Sequence, residues 1–205
     1  MIFAESDSEM ISKLAKSIAH FFVVQNITEE SKEVIYAYGM ELLISDVLNT
    51  IIALLIALFS HTLPAVVVFI AVFMGLRQFV GGFHANSHLS CMFTLVMVMM
   101  VFSYGICNVS GHITPIFSIS FIMIALPIIL CIAPVPHPNK PMSEEKSVKL
   151  RKRSCILAVT LSVVTIALLV FQYQKLSLYV SSGMLLSAIM ALLGHFLNRG
   201  DNSKR

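Results

Sequence analysis

Apolar residues in this chain come in long unbroken blocks rather than in the short alternations of a water-soluble domain. No Asp, Glu, Lys or Arg occurs from Val47 to Leu76, Gln78 to Asn139, Ser154 to Gln174 or Leu176 to Asn198, runs of 30, 62, 21 and 23 residues. A helix rises about 1.5 Å per residue and needs roughly 20 apolar residues to cross a bilayer core, so each of the last two runs fits one crossing. The 62-residue run must fold back on itself. Broken at its polar clusters, the pattern predicts spans at about 42–59, 63–79, 91–107, 114–133, 155–172 and 177–197. The expected fold class is all-α: a polytopic membrane helix bundle with about six hydrophobic segments.

Ahead of these, Met10, Ile11, Leu14, Ile18, Phe21 and Phe22 recur at helical spacing, with Ser12, Lys13, Lys16 and Ser17 between them. This predicts an amphipathic helix lying on a membrane surface or against a partner helix. A second helix is expected to begin at Thr28, with Glu29 and Glu30 in its first turn, and to run into the first span. The organisation is then an amphipathic amino-terminal region over 1–40, a membrane domain over 41–198 with a basic loop at 134–154, and a tail at 199–205.

The segment from Pro134 to Ser154 holds Lys140, Lys146, Lys149, Arg151, Lys152 and Arg153 against only Glu144 and Glu145, which predicts a cytoplasmic loop. Alternation then places both termini and the stretch from Arg77 to Ser90 on the same side. One approach is short: Thr62 to Leu76 is 15 residues, about 22 Å of helix against a core of roughly 30 Å. Six spans and four spans plus two re-entrant segments both satisfy the charge bias. In the last span Gly183, Ser187 and Ala191 form a small-residue stripe, suited to close packing within the bundle or to a homodimer interface.

Composition narrows the function classes. Charged residues make up 12% and hydrophobic residues 57%, and the net charge of +3 comes with no basic block long enough to follow a nucleic-acid backbone. Cys91, Cys107, Cys131 and Cys155 show no paired CxxC spacing, so neither a disulfide scaffold nor a zinc ribbon is expected, and no cofactor is called for. The first forty residues mix acids and bases without the apolar core of a signal peptide.

The chemistry concentrates where the first two runs meet, in Arg77-Gln78-Phe79-Val80-Gly81-Gly82-Phe83-His84-Ala85-Asn86-Ser87-His88-Leu89-Ser90-Cys91. Ionisable residues at a membrane boundary usually face a cavity or one another. A free thiol of pKa about 8.5 needs a base or a favourable field to act as a nucleophile, and His84 is a candidate base for Cys91. On one unbroken helix the two would stand about 10 Å apart, beyond the roughly 3 Å reach of proton transfer, so catalysis requires a break between them. Asn86-Ser87 supply turn and N-cap residues, Gly81-Gly82 supply backbone freedom, and a helix starting after Ser87 would carry Cys91 near its positive end. The same residues also read as interfacial histidines beside a small buried cysteine, or as a bent three-ligand metal site of His84, His88 and Cys91. Asp46, inside the first span, and Glu41, at its end, are candidates to orient the histidine. Arg77 is a candidate for a substrate carboxylate, the developing oxyanion or lipid phosphate.

Arg77, Gly82, His84, Ala85 and Cys91, with seven residues from Arg to His and seven from His to Cys, resemble the signature of the accessory gene regulator B family. Tyr38-Gly39-Met40-Glu41, Ala133-Pro134, Lys140-Pro141 and the following basic run are similar to the family pattern as well, and the resemblance covers most of the chain. It implies a membrane cysteine endopeptidase that matures a quorum-sensing propeptide. Such enzymes remove the precursor's carboxyl-terminal tail, hold the remainder as an acyl-enzyme, and release it as a thiolactone or lactone ring. The resemblance makes Cys91 the nucleophile and His84 the general base, with Arg77 and Gly82 in supporting positions. The implied partners are the bilayer and a small precursor with an amphipathic amino end and an acidic tail. The alternative from another class is a non-enzymatic peptide transporter or scaffold, which lacks support from any clear internal repeat.

Overall fold

A computed structural model describes residues 2–81, 88–135 and 144–202, with side chains placed at all of these except 2–9, 42, 88–92, 146 and 197–202. The described chain is helical: α1 (Ile2–Val24), α2 (Glu33–Phe59), α3 (Leu63–Val80), α4 (His88–Met100), α5 (Thr114–Ile132), α6 (Glu144–Val170) and α7 (Gln174–Asn202). Five stretches are long and apolar enough to cross a membrane: Glu30–Phe59, Leu63–Val80, Thr114–Ile132, Ser147–Val170 and Gln174–Phe196. The predicted third span is a shorter apolar stretch, Phe93–Asn108. There α4 passes into a π-helical turn (Val101–Gly105) and a 3₁₀ turn (Ile106–Asn108). The protein is thus an all-α membrane helix bundle.

The chain divides into two compact units, Met1–Ile56 with Ala85–Met99, and Ala57–His84 with Met100–Arg205. In the first, α1 buries Ala15 and Ala19 and leaves Met10, Leu14 and Phe21 exposed. The helix begins earlier than the apolar repeat predicts, at Ile2. It ends in a turn at Asn26, which adopts a left-handed φ of 54°. A 3₁₀ turn (Glu30–Lys32) then starts the second helix close to the expected Thr28. His20 Nδ1 lies 3.3 Å from Glu33 Oε1, and the Phe22 and Tyr36 rings meet edge to face at 6.4 Å, so α1 is tied to the start of α2.

The second unit is built around α7, which packs against α3, α5 and α6. Its small-residue stripe is used inside the chain. A Cβ added at Gly183 would stand 3.0 Å from the Phe69 carbonyl oxygen and 3.0 Å from Val72, and Ser187 Oγ donates to the Phe73 carbonyl at 3.4 Å. Ala191 is fully buried. With lipid on one side and no water to bond, close backbone approach and internal hydrogen bonds hold such helices together. Ser118 of α5 and Ser177 of α7 bond through their hydroxyls at 3.1 Å. Interhelical bonds of this kind contribute about 0.6 kcal/mol on average. Ser118→Ala, Ser177→Ala and the double substitution, unfolded in mixed micelles, should therefore give a coupling energy of that size, and full additivity would show that the bond contributes nothing.

From Glu144 onward the basic segment is helix rather than loop. α6 starts at Glu144, so Lys149, Arg151, Lys152 and Arg153 stand on its exposed first turns. Glu144 and Glu145 favour this start by complementing the positive end of the helix dipole, and Lys149 pairs with Glu145 at 2.9 Å.

Candidate active site

α3 presents Leu76 and Val80 to the core, where both are fully buried among Ala125, Ile129, Ala133, Ala158, Met184 and Ala188. Arg77, the next residue round the helix, is half-buried. Its guanidinium lies 5.5 Å from the centroid of the Phe73 ring, a cation–π arrangement. Phe73 stacks on Phe69 at 6.4 Å. Phe69 in turn meets Phe102 at 4.3 Å, and Phe102 meets Tyr179 at 5.9 Å. Phe102 belongs to the π-helical turn, so the widened turn, a feature often found at functional sites, places the partner ring of this aromatic column.

The helix ends where the glycine pair begins. Gly81 N–H closes the last turn on the Arg77 carbonyl at 3.0 Å. Gly81 then adopts φ 72°, ψ −150°, a region in which essentially only glycine is found. The Val80 carbonyl is taken by the Val135 N–H at 2.9 Å, and Gly81 and Val135 form an isolated parallel bridge. Val135 is 5% exposed and directly follows Ala133-Pro134. The end of α3 and the residues just after α5 therefore lie at the same end of the second unit. At the opposite end Thr62 Oγ1 donates to Ser103 Oγ at 3.1 Å, and Gly111 lies beside Gln174.

Over the described residues α4 runs from His88 to Met100, and its backbone carries Cys91. Arg77 and Cys91 lie on different helices, α3 and α4; the expected break between His84 and Cys91 falls outside the described residues. Gly82 and His84 lie outside the described residues, as does the Cys91 side chain. Of the acidic candidates, Glu41 is half-buried and Asp46 exposed on α2, in the same compact unit as the α4 backbone that carries Cys91. The Asp46 carbonyl accepts the Thr50 hydroxyl at 2.8 Å. Val135 is the participant that sequence reasoning missed. Its only local sign is the Ala133-Pro134 pair before it.

These features define a polytopic, all-α membrane protein whose motif begins on one spanning helix, α3, and ends on a second helix, α4. The chain belongs to the accessory gene regulator B family, whose sequence pattern (AgrB) matches residues 10–191. A Clostridium beijerinckii protein described as AgrB-like is 25% identical over 145 residues, covering 69% of this chain and 71% of that protein. No solved structure matches the chain. Family membership associates the protein with quorum-sensing peptide processing.

Proposed function

We propose that the protein is an integral membrane cysteine endopeptidase that removes the carboxyl-terminal tail of a quorum-sensing propeptide and promotes its cyclisation. The observation that carries this reading is that α3 ends at Val80 and the two ends of the Arg-x₆-His-x₆-Cys motif lie on different helices, Arg77 on α3 and Cys91 on α4. In this reading Ser87 caps α4, so that the positive end of the helix favours a thiolate at Cys91.

In the proposed cycle the Cys91 thiol gives its proton to His84 as its sulfur attacks the scissile carbonyl. The carbon–nitrogen bond breaks, the proton passes to the leaving amine, and the tail departs, leaving a thioester. A precursor thiol or hydroxyl then attacks that thioester, loses its proton to His84, and closes a thiolactone or lactone while Cys91 is freed. Converting an amide to a thioester is uphill in water, so a site at the membrane boundary helps by limiting hydrolysis. Arg77, Gly81 and Gly82 support the site, Arg77 as a contact for a carboxylate or the oxyanion. Glu41 or Asp46 serves to orient the histidine. No cofactor takes part.

The setting is the cell membrane, with termini and catalytic residues on the cytoplasmic side. The exposed cations of α6 attract the acidic tail of the precursor. Raising salt from about 0.05 to 0.5 M shortens the Debye length from roughly 14 to 4 Å, so KM for the precursor should rise several-fold with kcat little changed; a salt-independent KM would remove this role. The reading as a whole is tested by alkylating the purified protein in lipid vesicles. Labelling of Cys91, located by peptide mapping, should stop cleavage of a precursor peptide in proportion to its extent, and full cleavage after complete labelling would refute the assignment.

A further inference from the structure

We propose that the backbone pairing of Val80 and Gly81 with Val135 positions the motif histidine, making Gly81 and Val135 positioning residues. The proposal rests on the cysteine endopeptidase reading above and adds to it a role for the connection after α5.

The geometry leaves the chain little choice at this point. The last carbonyls of a helix lack internal partners, and near a membrane core an unsatisfied one is costly. Val80 is fully buried, and the N–H that satisfies its carbonyl comes from Val135. Val135 is itself fixed: Ala133 N–H bonds to the Ile129 carbonyl at 3.0 Å, and the Val135 side chain sits in the same core cluster as Leu76 and Val80. The pairing also demands glycine. At Gly81 φ is 72° and an added Cβ would lie 2.5 Å from the Val135 carbonyl oxygen, so any side chain would meet both a forbidden backbone region and a backbone clash. His84 follows three residues later, at most about 10 Å of extended chain. The direction in which the chain leaves Gly81 therefore limits where the imidazole can stand, and a displacement of about 1 Å can cost roughly 10²-fold in rate.

Gly75, in the same helix, has nothing within 4 Å of an added Cβ and supplies the control. The test compares Gly81→Ala and Val135→Pro, which removes the bonding N–H, with Gly75→Ala, all reconstituted in vesicles. Two quantities are read: precursor turnover, and the pH dependence of Cys91 alkylation by iodoacetamide, followed by mass spectrometry. Gly81→Ala and Val135→Pro should each lower kcat about 10²-fold with KM within about threefold. Their alkylation profiles should move to that of His84→Ala, with a midpoint near the ordinary thiol value of about 8.5. The Gly75→Ala control should match the wild type. Wild-type alkylation profiles in Gly81→Ala and Val135→Pro would overturn the inference while leaving the cysteine–histidine pair intact. Identical profiles for the wild type and His84→Ala would refute the pair itself, and the inference with it.

Discussion

Cys91→Ala should abolish precursor cleavage, a loss of about 10⁴-fold or more, while the protein still inserts into the membrane. The magnitude follows from the role: without the sulfur no acyl-enzyme forms, and removal of a nucleophile in a cysteine or serine mechanism leaves only what binding and charge stabilisation contribute. His84→Ala should cost roughly 10² to 10⁴, the range spanned by a positioned general base. It should also show a stronger dependence on pH than the wild type, because the thiolate must then form by itself. The double substitution should be no worse than Cys91→Ala alone, since residues that act as a unit are not additive. Cleavage by purified variants, quantified by mass spectrometry of the released tail, checks all three. Normal processing by either single variant would remove that residue from the mechanism.

Gly183→Val should markedly destabilise the second unit. The neighbours of an added Cβ are the Phe69 carbonyl and the branched side chain of Val72, all at 3.0 Å. Neither can rotate away, so α3 and α7 must separate. Overpacking of this kind typically costs about 1–3 kcal/mol and occasionally more, and separation also breaks the weak bond from Ser187 to the Phe73 carbonyl. Even Gly183→Ala should destabilise, although alanine favours a helix over glycine by roughly 1 kcal/mol. Gly39→Ala is the reference, because nothing lies within 4 Å of its added Cβ; it should be neutral or stabilising. Heating in detergent, followed by the fraction that stays monodisperse, ranks the three. Equal melting of Gly183→Val and the wild type would contradict the packing described for the stripe.

Charge scarcity and helical period made the membrane bundle legible, because lipid imposes a length and a polarity on every crossing. The 3₁₀ turn at Glu30–Lys32 that leads into α2, close to the expected start at Thr28, and the end of α3 before Gly81 were readable from local signals. The π-helical turn at Val101–Gly105 was not, since one widened turn leaves an apolar run unchanged. The helical start of α6 was hidden by its charge: a run of cations reads as a loop until Glu144 and Glu145 are recognised as a favourable first turn. The motif residues Arg77 and Cys91 were legible as chemistry, and the need for a break between His84 and Cys91 followed from helix geometry alone. The tie between Gly81 and Val135 was beyond sequence reasoning, because pairing between residues far apart in the chain carries no local periodicity. The Gly81-Gly82 pair announced freedom there, and the structure shows what that freedom is used for at Gly81.

The central claim is that Cys91 carries the precursor as a thioester. The direct measurement is intact-protein mass spectrometry of the vesicle-reconstituted protein, quenched in acid within seconds of adding a precursor whose central Cys or Ser has been changed to Ala so that cyclisation cannot release it. The account predicts an added mass equal to the precursor without its tail, mapped to Cys91, removed by hydroxylamine and absent from Cys91→Ala. Tail release with no adduct at Cys91, or an adduct of equal yield in Cys91→Ala, would contradict it.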